Sequence, residues 1–361
     1  MKILFLTPYP IEGPSTRHRV FQFLPYLNEA NIGYELESFL TSNDYSKVFL
    51  QKATFLLKVF IYLKSFLRRL LLILSENHTY DIIFIQLNVS PIFSNFFNRI
   101  ILASKSKIIF DFDDAQHIRH SNAQTIIADF FRNINQTKFI LEKSDLAIVG
   151  NDFLKEFAEQ YCKEVIVIPT TIETRNVETR TYIQSEKVIL GWMGSSASSR
   201  YLDIVKDVFL QLLQANNNLE IQIVGSKGFK LRHQRINFMP WQLHSEYDLL
   251  RRFDIGIMPL ADDEYSKGKC GFKALQYMIV GTPVVVSPVG VNKQIVQHGI
   301  NGYHAYVEND WIGYIQKLID NHLMRIEMGQ KGRKFVISKY STSVYAPNFI
   351  SSINKIAKIP K

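Results

Sequence analysis

We predict from the sequence an α/β protein made of two doubly wound domains that face a cleft. Three observations support this prediction. The chain has 361 residues, about twice the length of an average domain. Apolar residues make up 47% of it, which is enough for packed cores. Short runs rich in Ile, Leu, Val and Phe alternate with helical periodicity almost throughout, a pattern typical of parallel sheets covered by helices on both faces.

The predicted elements follow this alternation from the N-terminus onward. Each predicted strand is a short apolar run bounded by polar or turn-forming residues. Strands are expected at residues 2–7, 82–86, 107–112, 146–149 and 165–168, and again at 188–192, 220–224, 255–259 and 283–287. Helices are expected where apolar residues recur every three or four positions, at residues 125–144, 153–161, 202–214, 245–252, 272–280 and 310–321.

A polar stretch at residues 173–186 interrupts the alternation and contains few large apolar residues. We therefore predict a first domain at residues 1–172, a linker at 173–186, a second domain at 187–340 and a final helix at 341–361 that crosses back to the first domain. Ligands of open α/β sheets bind beyond the carboxyl ends of the strands. Candidate site residues are therefore sought directly after strands.

The net charge of the chain is +9, from 42 basic and 33 acidic residues. This excess suits an anionic substrate or surface, whereas nucleic acid is not expected, because no nucleic-acid recognition motif is present. Cys162 and Cys270 are too few for a disulfide framework or a cysteine-based zinc site, and they suit a reducing, cytoplasmic compartment. The charge excess is accounted for by three patches: Lys47, Lys52, Lys58, Lys64, Arg68 and Arg69; Lys227, Lys230, Arg232 and Arg235; and Lys355, Lys358 and Lys361.

The largest basic patch lies in residues 47–74, which contain no acidic residue. Polar and basic side chains recur there every three or four positions, and the other faces carry a wide apolar arc. This pattern predicts an interfacial helix against an anionic membrane surface, with the protein peripheral on the inner face of the cell membrane. The alternative is an ordinary surface helix packed on its domain. No membrane-spanning helix is predicted, because the longest uncharged run, residues 274–292, is interrupted by glycines and prolines.

A glycine turn with basic residues follows the first predicted strand. Gly13 opens a turn into a helix that carries Arg17 and Arg19. Backbone N–H groups at such a helix start, together with the arginines, suit an anionic ligand. A plain strand-to-helix loop with solvated arginines is the alternative.

Three aspartates close a later strand of the first domain. Asp111, Asp113 and Asp114 are crowded carboxylates, which are costly unless they serve a metal, hydroxyl groups or cations. We expect them to hydrogen-bond a hydroxylated substrate or Arg17 and Arg19. Metal binding and capping of the next helix stay open as alternatives.

Two small-residue turns follow strands of the second domain. Gly194 and Ser195 come directly after the first of these strands, and Arg200 follows five positions later. Small residues allow a diphosphate to approach the backbone, and a basic residue pairs with it. Further along, Lys269 and Lys273 flank a glycine turn at the start of a helix, where two cations repel each other unless an anion joins them.

Taken together, these segments resemble the GT-B-fold, Rossmann-like glycosyltransferases of the retaining family four. The resemblance spans nearly the whole chain. It rests on residues 151–169, the loop at Gly194, and residues 253–260, 281–285, 288–290 and 299–302. A subgroup with a similar Lys-Cys-Gly-Phe-Lys pattern, here residues 269–273, consists of bacterial surface-polysaccharide transferases.

The resemblance implies sugar transfer from a nucleotide diphosphate sugar to a saccharide or lipid-linked acceptor, with retention and without a metal or other cofactor. The second domain is expected to bind the donor through Gly194, Ser195, Arg200, Trp241, Lys269, Lys273 and Gln276. The first domain is expected to bind the acceptor through Gly13, Arg17, Arg19, Asp111 and Asp113. Asp114 or His117 is expected to orient the acceptor hydroxyl as a catalytic residue.

Two departures from the family pattern stand out. Members usually carry two glutamates that fall here on Gly268 and Gln276, so both carboxylates are missing. Gln276 retains the capacity to hydrogen-bond ribose hydroxyls.

Trp241 or Met239 is expected against the base, with simple packing as the alternative. Two other functions stay open: a sugar-nucleotide epimerase-like enzyme, and a catalytically inactive, membrane-associated binding subunit.

Overall fold

The computed structural model describes residues 1–358 of the chain except 52, 77–78, 93, 103, 119–134 and 184. Within those residues, no helix is both long and apolar enough to cross a membrane. The chain divides into two compact units, described here separately: unit 1 consists of Met1–Thr171 and Tyr345–Lys361, and unit 2 of Ile172–Val344. The prediction of an α/β protein with two parallel-sheet domains is confirmed.

Unit 1 is built on a six-stranded sheet in the order β2-β1-β3-β4-β5-β6, in which all neighbouring strands are parallel. The strands are β1 (Lys2–Thr7), β2 (Gly33–Ser38), β3 (Ile82–Gln86), β4 (Lys107–Phe112), β5 (Leu146–Val149) and β6 (Val165–Val167). The order reverses between β1 and β3. The carboxyl ends of these two strands are therefore where a ligand crevice is expected in unit 1.

Unit 2 has a second parallel sheet of six strands, in the order β12-β11-β10-β7-β8-β9. The strands are β7 (Val188–Met193), β8 (Leu219–Val224), β9 (Ile236–Met239), β10 (Ile255–Met258), β11 (Val284–Val286) and β12 (Gly302–His304). This is the strand order of dinucleotide-binding domains, and it reverses between β7 and β10. The turns that follow β7 and β10 are therefore the expected ligand edge of unit 2.

Helices cover both sheets. In the first part of the chain they are α1 (Pro14–Arg19), α2 (Leu24–Glu29), α3 (Ser42–Tyr45), α4 (Phe55–Glu76), α5 (Ser94–Leu102), α6 (Asn135–Leu141) and α7 (Asp152–Ala158). In unit 2 they are α8 (Lys206–Ala215), α9 (Glu246–Arg251), α10 (Glu264–Lys267), α11 (Phe272–Ile279), α12 (Asn292–Ile295), α13 (Glu308–Asp320) and α14 (His322–Tyr340). The chain then continues into α15 (Thr342–Lys358). The predicted helix at 125–144 lies in large part outside the described residues.

Helix α15 packs against the core of unit 1, although it follows unit 2 in the chain. The Phe349 ring lies 4.5 Å from the Phe23 ring and 5.8 Å from the Phe84 ring of β3, centroid to centroid. Ile353 and Ile356, one and two turns further along, are also buried in this core. The hydrophobic core of unit 1 is therefore completed by the last described helix.

The stretch predicted as a linker, residues 173–186, packs on unit 2 instead of standing free. The Arg180 N–H donates to the carbonyl of Val280 at 2.8 Å. The Arg180 guanidinium is buried in an ion pair with Asp254 and also donates to the carbonyl of Phe253. The composition of this stretch is that of a linker, but one buried arginine fixes it to the domain.

Three strands were not predicted, and each is at a sheet edge. Strand β2 is half-buried, with glutamates at Glu35 and Glu37, and β9 and β12 are only four and three residues long. Such strands lack the continuous apolar run that identifies a strand buried on both faces. These segments form strands because they pair with a neighbouring strand, and not because of their own composition.

The predicted basic helix at 47–74 is divided in two, and part of its polar face points inward, while Lys64 is exposed. A short π-helical turn (Ser46–Leu50) precedes α4. Ser65 and Arg69 of α4 are each only 2% exposed. Arg69 donates to the carbonyls of Thr7 and Glu37 at 3.1 and 2.9 Å, which satisfies backbone acceptors in the first sheet.

The apolar face of α4 is consequently the exposed one. Its large side chains recur along one side of the helix, and their exposed fractions run from 38% to 79%. They are Phe55, Leu56, Leu57, Val59, Phe60, Leu63, Leu67, Leu71 and Leu74. A stripe of this length is far more than the scattered apolar residues of an ordinary surface. Arg69, one of the six basic residues of the predicted patch, is therefore buried.

Candidate functional site

Gly194 directly follows β7 and lies against the side chain of Lys273 from α11. A Cβ atom at position 194 would come within 2.7 Å of Lys273 Cε and within 2.7 Å of Trp192 Cη2. Because glycine has no side chain, the Lys273 side chain has space to lie over this turn. The Lys273 ammonium lies 5.7 Å from the centroid of the Trp192 ring. The structure thus brings two predicted donor residues together at the carboxyl end of β7, where the strand order reverses.

The loop after Gly194 is a serine-rich turn. The Ser195 carbonyl accepts hydrogen bonds from the N–H groups of Ser198 and Ser199 at 3.0 and 3.1 Å, and the Ser195 side chain is exposed. The Gly194 N–H donates to the carbonyl of Val224 at 3.0 Å. This N–H group is therefore already hydrogen-bonded within the sheet. Gly194 contributes to the site mainly through the space that its missing side chain leaves.

Arg200 and Lys269 meet on the rings of two tyrosines. The Arg200 guanidinium lies 4.9 Å from the centroid of Tyr201 and 5.8 Å from that of Tyr265. The Lys269 ammonium lies 4.6 Å from the Tyr265 centroid. The Tyr201 hydroxyl shares a hydrogen bond of 3.1 Å with Ser266 Oγ, which fixes this ring. Aromatic faces hold cations in place, so this packing sets the positions of both charges.

Trp241 is placed beside Gly194 by a second glycine. Gly225, directly after β8, has a φ of +84°, a conformation that favours glycine. A Cβ there would come within 2.8 Å of the Gly194 carbonyl oxygen and 3.3 Å of Trp241 Cβ. The loop after β9, which carries Trp241, therefore packs closely on the turn after β7.

A buried carboxylate connects Trp241 to Gln276. Glu246, the first residue of α9, is 4% exposed. Its Oε2 atom accepts a hydrogen bond from Trp241 Nε1 at 2.7 Å, and its Oε1 atom accepts one from Gln276 Nε2 at 3.0 Å. Two predicted donor residues from different elements are thus held by an acidic residue that was not predicted.

Helix α11 is fixed to β7 by a buried tyrosine. The Tyr277 hydroxyl accepts a hydrogen bond from the N–H of Met193, the last residue of β7, at 2.9 Å. Burial raises the pKa of Tyr277, so the hydroxyl stays neutral. The neighbouring positions of α11 carry Lys273 and Gln276. The Tyr277 hydrogen bond therefore sets where both side chains stand relative to the Gly194 turn.

In unit 1, Arg19 and Asp111 form a buried ion pair. Arg19 Nε lies 3.1 Å from each carboxylate oxygen of Asp111, and both side chains are only 1% exposed. The Arg19 guanidinium also donates to the carbonyl of Ile168. Burial raises the pKa of Asp111 to about 6, against the opposing effect of Arg19. Pairing with Arg19 was one of the contacts expected for Asp111, and both side chains lie in the interior of unit 1.

The neighbouring aspartate belongs to a different network. Asp113 Oδ1 accepts a hydrogen bond from Ser15 Oγ at 2.7 Å, and Gln86 Nε2 donates to the same Ser15 oxygen at 2.9 Å. Gln86 Oε1 in turn accepts from Thr16 Oγ1 at 3.0 Å. Gln86 is the last residue of β3, and the others follow β1 and β4, so they lie at the edge where the strand order reverses. Ser15, Thr16 and Gln86 were not predicted from the sequence, because short polar side chains beside a turn are common.

Gly13 and Arg17 take local roles in the structure. The Gly13 N–H donates to the carbonyl of Pro10 at 2.9 Å, and a Cβ at this glycine would come within 2.4 Å of Tyr9 Cβ. Gly13 thus serves a tight turn before α1. Arg17 Nε donates to Nε2 of His18 at 3.2 Å, and burial holds the pKa of His18 well below its usual value. The neutral imidazole can therefore accept this bond.

His117 and Asp114 are half-buried after β4. The His117 ring stacks on the Phe157 ring with centroids 3.6 Å apart and planes 5° from parallel. Burial lowers the pKa of His117 to about 4, with Asp114 opposing the shift. A neutral imidazole at physiological pH can accept a proton or a hydrogen bond. Across the described residues, no group of three or more His, Cys, Asp or Glu side chains is arranged to hold a metal ion.

Comparison with known protein families gives a match that lies within unit 2. Residues 187–321, which lie within unit 2, match the family described as Glycosyl transferases group 1. A segment of 111 residues is 31% identical to an uncharacterized glycosyltransferase of Methanocaldococcus jannaschii. That match covers 30% of this chain and 27% of the relative, so the chain spans about a quarter of the curated protein that it matches.

Comparison with solved structures bears on the whole chain. Sucrose-phosphate synthase of Thermosynechococcus elongatus superimposes with a TM-score of 0.72 at 14% identity, over 98% of each chain. Anabaena HepE, solved in complex with UDP-glucose, gives 0.69 at 13% identity, over 98% of this chain and 100% of that one. A glycosyltransferase of Rickettsia africae gives 0.65 at 12% identity, over 99% and 98%. The fold is therefore that of GT-B glycosyltransferases, as the resemblance implied.

Proposed function

We propose that the protein transfers a sugar from a nucleotide diphosphate sugar, bound to unit 2, to a hydroxyl group of a saccharide or lipid-linked acceptor. The observation that carries this proposal is the position of Lys273, whose side chain lies over Gly194 at the carboxyl end of β7. An ammonium group above a glycine turn suits the oxygens of a diphosphate. The glycosyl transferases group 1 domain includes both residues and supports the proposal.

In the proposed reaction, the bond between the anomeric carbon of the sugar and the diphosphate oxygen breaks, and a bond from the acceptor oxygen to that carbon forms. Negative charge develops on the leaving diphosphate. Lys273, Lys269 and Arg200 are fixed by packing before the reaction, so they stabilise this charge without reorganising. The proton of the acceptor hydroxyl passes to a phosphate oxygen of the leaving group, and Asp114 or His117 orients that hydroxyl.

The finer features of this proposal follow the resemblance. We propose that transfer proceeds with retention, needs no metal, and serves the synthesis of a bacterial surface polysaccharide. Residues 269–273 support the last point, because their Lys-Cys-Gly-Phe-Lys pattern is similar to that of such transferases. Because HepE was solved with UDP-glucose, uridine nucleotides are the first donors to test.

The donor assignment is tested by replacing Lys273 with Met, which keeps the apolar stem and removes the charge. Calorimetry with UDP, GDP, ADP and CDP is expected to show a roughly 10- to 100-fold rise in Kd, the effect of losing one charge-assisted hydrogen bond. Lys293→Met is the matched control, because Lys293 is exposed on the short helix α12 of the same unit. Equal Kd values for K273M and the unaltered protein would overturn the assignment.

We further propose that the protein lies peripherally on an anionic membrane surface through residues 47–74. The exposed apolar stripe of α4 supports this, because a stripe of this length is costly in water and suits the acyl boundary of a bilayer. Residues 46–75 contain no acidic side chain. Lys58 lies on the same helix, and so does Lys64, whose ammonium is 3.6 Å from the Asp44 carboxylate. Charge and apolar area therefore favour anionic lipid over a neutral partner.

Vesicle co-sedimentation tests this surface with phosphatidylglycerol–phosphatidylcholine vesicles and with phosphatidylcholine alone. The double variant L63Q/L67Q is expected to lose binding by about 10-fold or more, because two apolar side chains no longer enter the lipid. Leu323→Gln is the control, since Leu323 is 76% exposed in unit 2. Unchanged binding by L63Q/L67Q, or an equal loss with L323Q, would contradict the proposal.

A further inference from the structure

A chain of hydrogen bonds at the carboxyl edge of the first sheet leads to a side chain that a ligand can reach. We infer that Ser15 binds a hydroxyl group of the acceptor sugar, and that Gln86 and Thr16 are positioning residues for the Ser15 hydroxyl. This inference rests on the proposed function, since it names a sugar contact of the same reaction. It gives a role to three side chains that the sequence pattern did not indicate.

The direction of each hydrogen bond in this chain is set by the one before it. Thr16 Oγ1 donates to the amide oxygen of Gln86 at 3.0 Å, and the amide nitrogen of Gln86 faces Ser15. That nitrogen can only donate, so Ser15 Oγ receives its hydrogen bond, at 2.9 Å. The single hydrogen of the Ser15 hydroxyl is therefore directed to Asp113 Oδ1, at 2.7 Å.

This arrangement prepares Ser15 Oγ to receive a hydrogen bond from a ligand. A hydroxyl oxygen can receive two hydrogen bonds, and Gln86 supplies one. Counted over the described residues, no donor supplies the second. Because the Ser15 hydroxyl donates to a carboxylate, its oxygen is polarised and becomes a stronger hydrogen-bond acceptor. A neutral sugar hydroxyl suits this position, whereas an anion would be repelled by Asp113.

The two ends of the chain differ in exposure. Thr16 and Gln86 are both 0% exposed, whereas Ser15 and Asp113 are half-buried. A ligand can therefore reach Ser15 without entering the core behind it. A buried amide is costly unless it is hydrogen-bonded. Both polar groups of the Gln86 amide are used in this chain, and their effect is to orient a hydroxyl that is reachable.

The chain of hydrogen bonds lies where the strand order of the first sheet reverses. Gln86 is the last residue of β3, and Ser15 is in the first turn of α1, which follows β1. Leu87, directly after β3, has a φ of +61°, and the Asn88 N–H donates to the Gln86 carbonyl at 2.7 Å. A bulky residue with such a φ in a three-residue turn is strained. Strain at the edge where open α/β sheets bind ligands is typical of binding sites and supports the inference.

The test uses the methyl glycosides of glucose, galactose, mannose and N-acetylglucosamine, with Kd values measured by saturation-transfer difference NMR. The unaltered protein is expected to bind at least one of them. Ser15→Ala should raise its Kd roughly 5- to 10-fold, the effect of losing one hydrogen bond. Ser15→Thr keeps the hydroxyl and should restore most of the affinity. The Kd values of nucleoside diphosphates should stay the same in both variants.

Monodeoxy forms of the glycoside that binds identify the contact and test the positioning role. One of them should bind the unaltered protein as weakly as S15A binds the parent glycoside, and S15A should no longer distinguish the two. Gln86→Met should reduce this discrimination at least 2-fold, because the Ser15 hydroxyl is then free to turn. A merely structural role of Gln86 would leave the discrimination unchanged in the folded fraction.

Ser42→Ala is the matched control. Ser42 also donates to a carboxylate of unit 1, Glu12 at 3.1 Å, but it is exposed and lies outside this chain of hydrogen bonds. The variant should leave every Kd unchanged.

Four results would overturn the inference. They are binding of nucleoside diphosphates but of no glycoside, an unchanged Kd in S15A, no recovery in S15T, and full discrimination by Q86M. An equal loss in S42A would count against it in the same way. Failure of UDP, GDP, ADP and CDP to bind the unaltered protein would instead reject the proposed function.

Discussion

His117 is neutral at physiological pH because of where its ring is packed. The stacked Phe157 ring and the partial burial of the imidazole lower its pKa to about 4. A histidine with an ordinary pKa would be partly protonated near pH 6.5 and would then be unable to accept a proton. The packing therefore keeps His117 in the neutral form, which can accept a hydrogen bond from an acceptor hydroxyl.

This packing predicts how the stability of unit 1 depends on pH. The unfolded chain binds a proton at His117 near pH 6.5, whereas the folded protein does so near pH 4. The unaltered protein should therefore lose stability as the pH falls from 6.5 to 4, relative to His117→Phe, which keeps the ring stack. We expect a difference of about 1 kcal/mol after allowing for partial exposure. Urea unfolding at pH 7 and pH 4.5 measures it, and a pH-independent difference would argue against it.

At the scale of single residues, the sequence predicted which residues suit an anionic ligand better than it predicted which residues are buried. Gly194 and Lys273 were identified because small and basic residues directly after strands are typical of anion-binding turns. The pairing of Arg19 with Asp111 was expected as one possibility, but nothing in the sequence shows that both are buried. Glu246 was missed because an acid at the start of a surface helix usually favours the helix dipole alone.

Helix α4 shows that an amphipathic pattern does not decide which face is buried. Its arginines donate to the carbonyls at the ends of β1 and β2, as Arg68 does to Ser38 and Phe39 and Arg69 does to Thr7 and Glu37. A buried arginine with several carbonyl partners thus adds to the buried Ile61 and Ile73 in the contact of α4 with the rest of unit 1. The helical spacing of polar and apolar residues can be read from the sequence alone. Which face of α4 is buried depends on the carbonyl groups that the neighbouring sheet presents.

The stability of unit 1 should therefore depend on an α4 arginine and not on the α4 leucines. Arg69→Met is expected to lower the free energy of unfolding by roughly 2–4 kcal/mol, because two buried carbonyls lose a charged donor. Leu71→Gln, at a position 68% exposed, should change it by less than about 0.5 kcal/mol. Thermal unfolding of both variants checks this. A larger loss for L71Q than for R69M would show that the apolar face is the packed one.

At the scale of the whole molecule, the two units differ in the number of chain segments that form them. Unit 2 is one continuous segment, whereas unit 1 needs the first part of the chain and Tyr345–Lys361. The side chains of Phe349, Ile353 and Ile356 are each at most 1% exposed. The predicted strands at 2–7, 82–86, 107–112 and 146–149 match the structure, because these are runs buried on both faces.

A chain that ends at Val344 should therefore lose the stability of unit 1 while unit 2 stays folded. Removing three fully buried apolar side chains costs roughly 5–9 kcal/mol, which is comparable to the net stability of a whole domain. Amide hydrogen exchange is expected to show lost protection in β1–β6 and retained protection in β7–β12. Nucleoside diphosphate binding to unit 2 should persist. Retained protection in β1–β6 would show that α15 adds little to this core.

The late position of α15 has a consequence for the newly made chain. A ribosome that adds roughly 5 to 20 residues per second takes about 10 to 35 seconds between Thr171 and Tyr345. During that interval the core around Phe23 and Phe84 lacks its last helix, while unit 2 is free to fold as soon as it emerges. The second half of the chain is thus expected to reach its native state first, and the first half to wait for residues 345–358 before it can close.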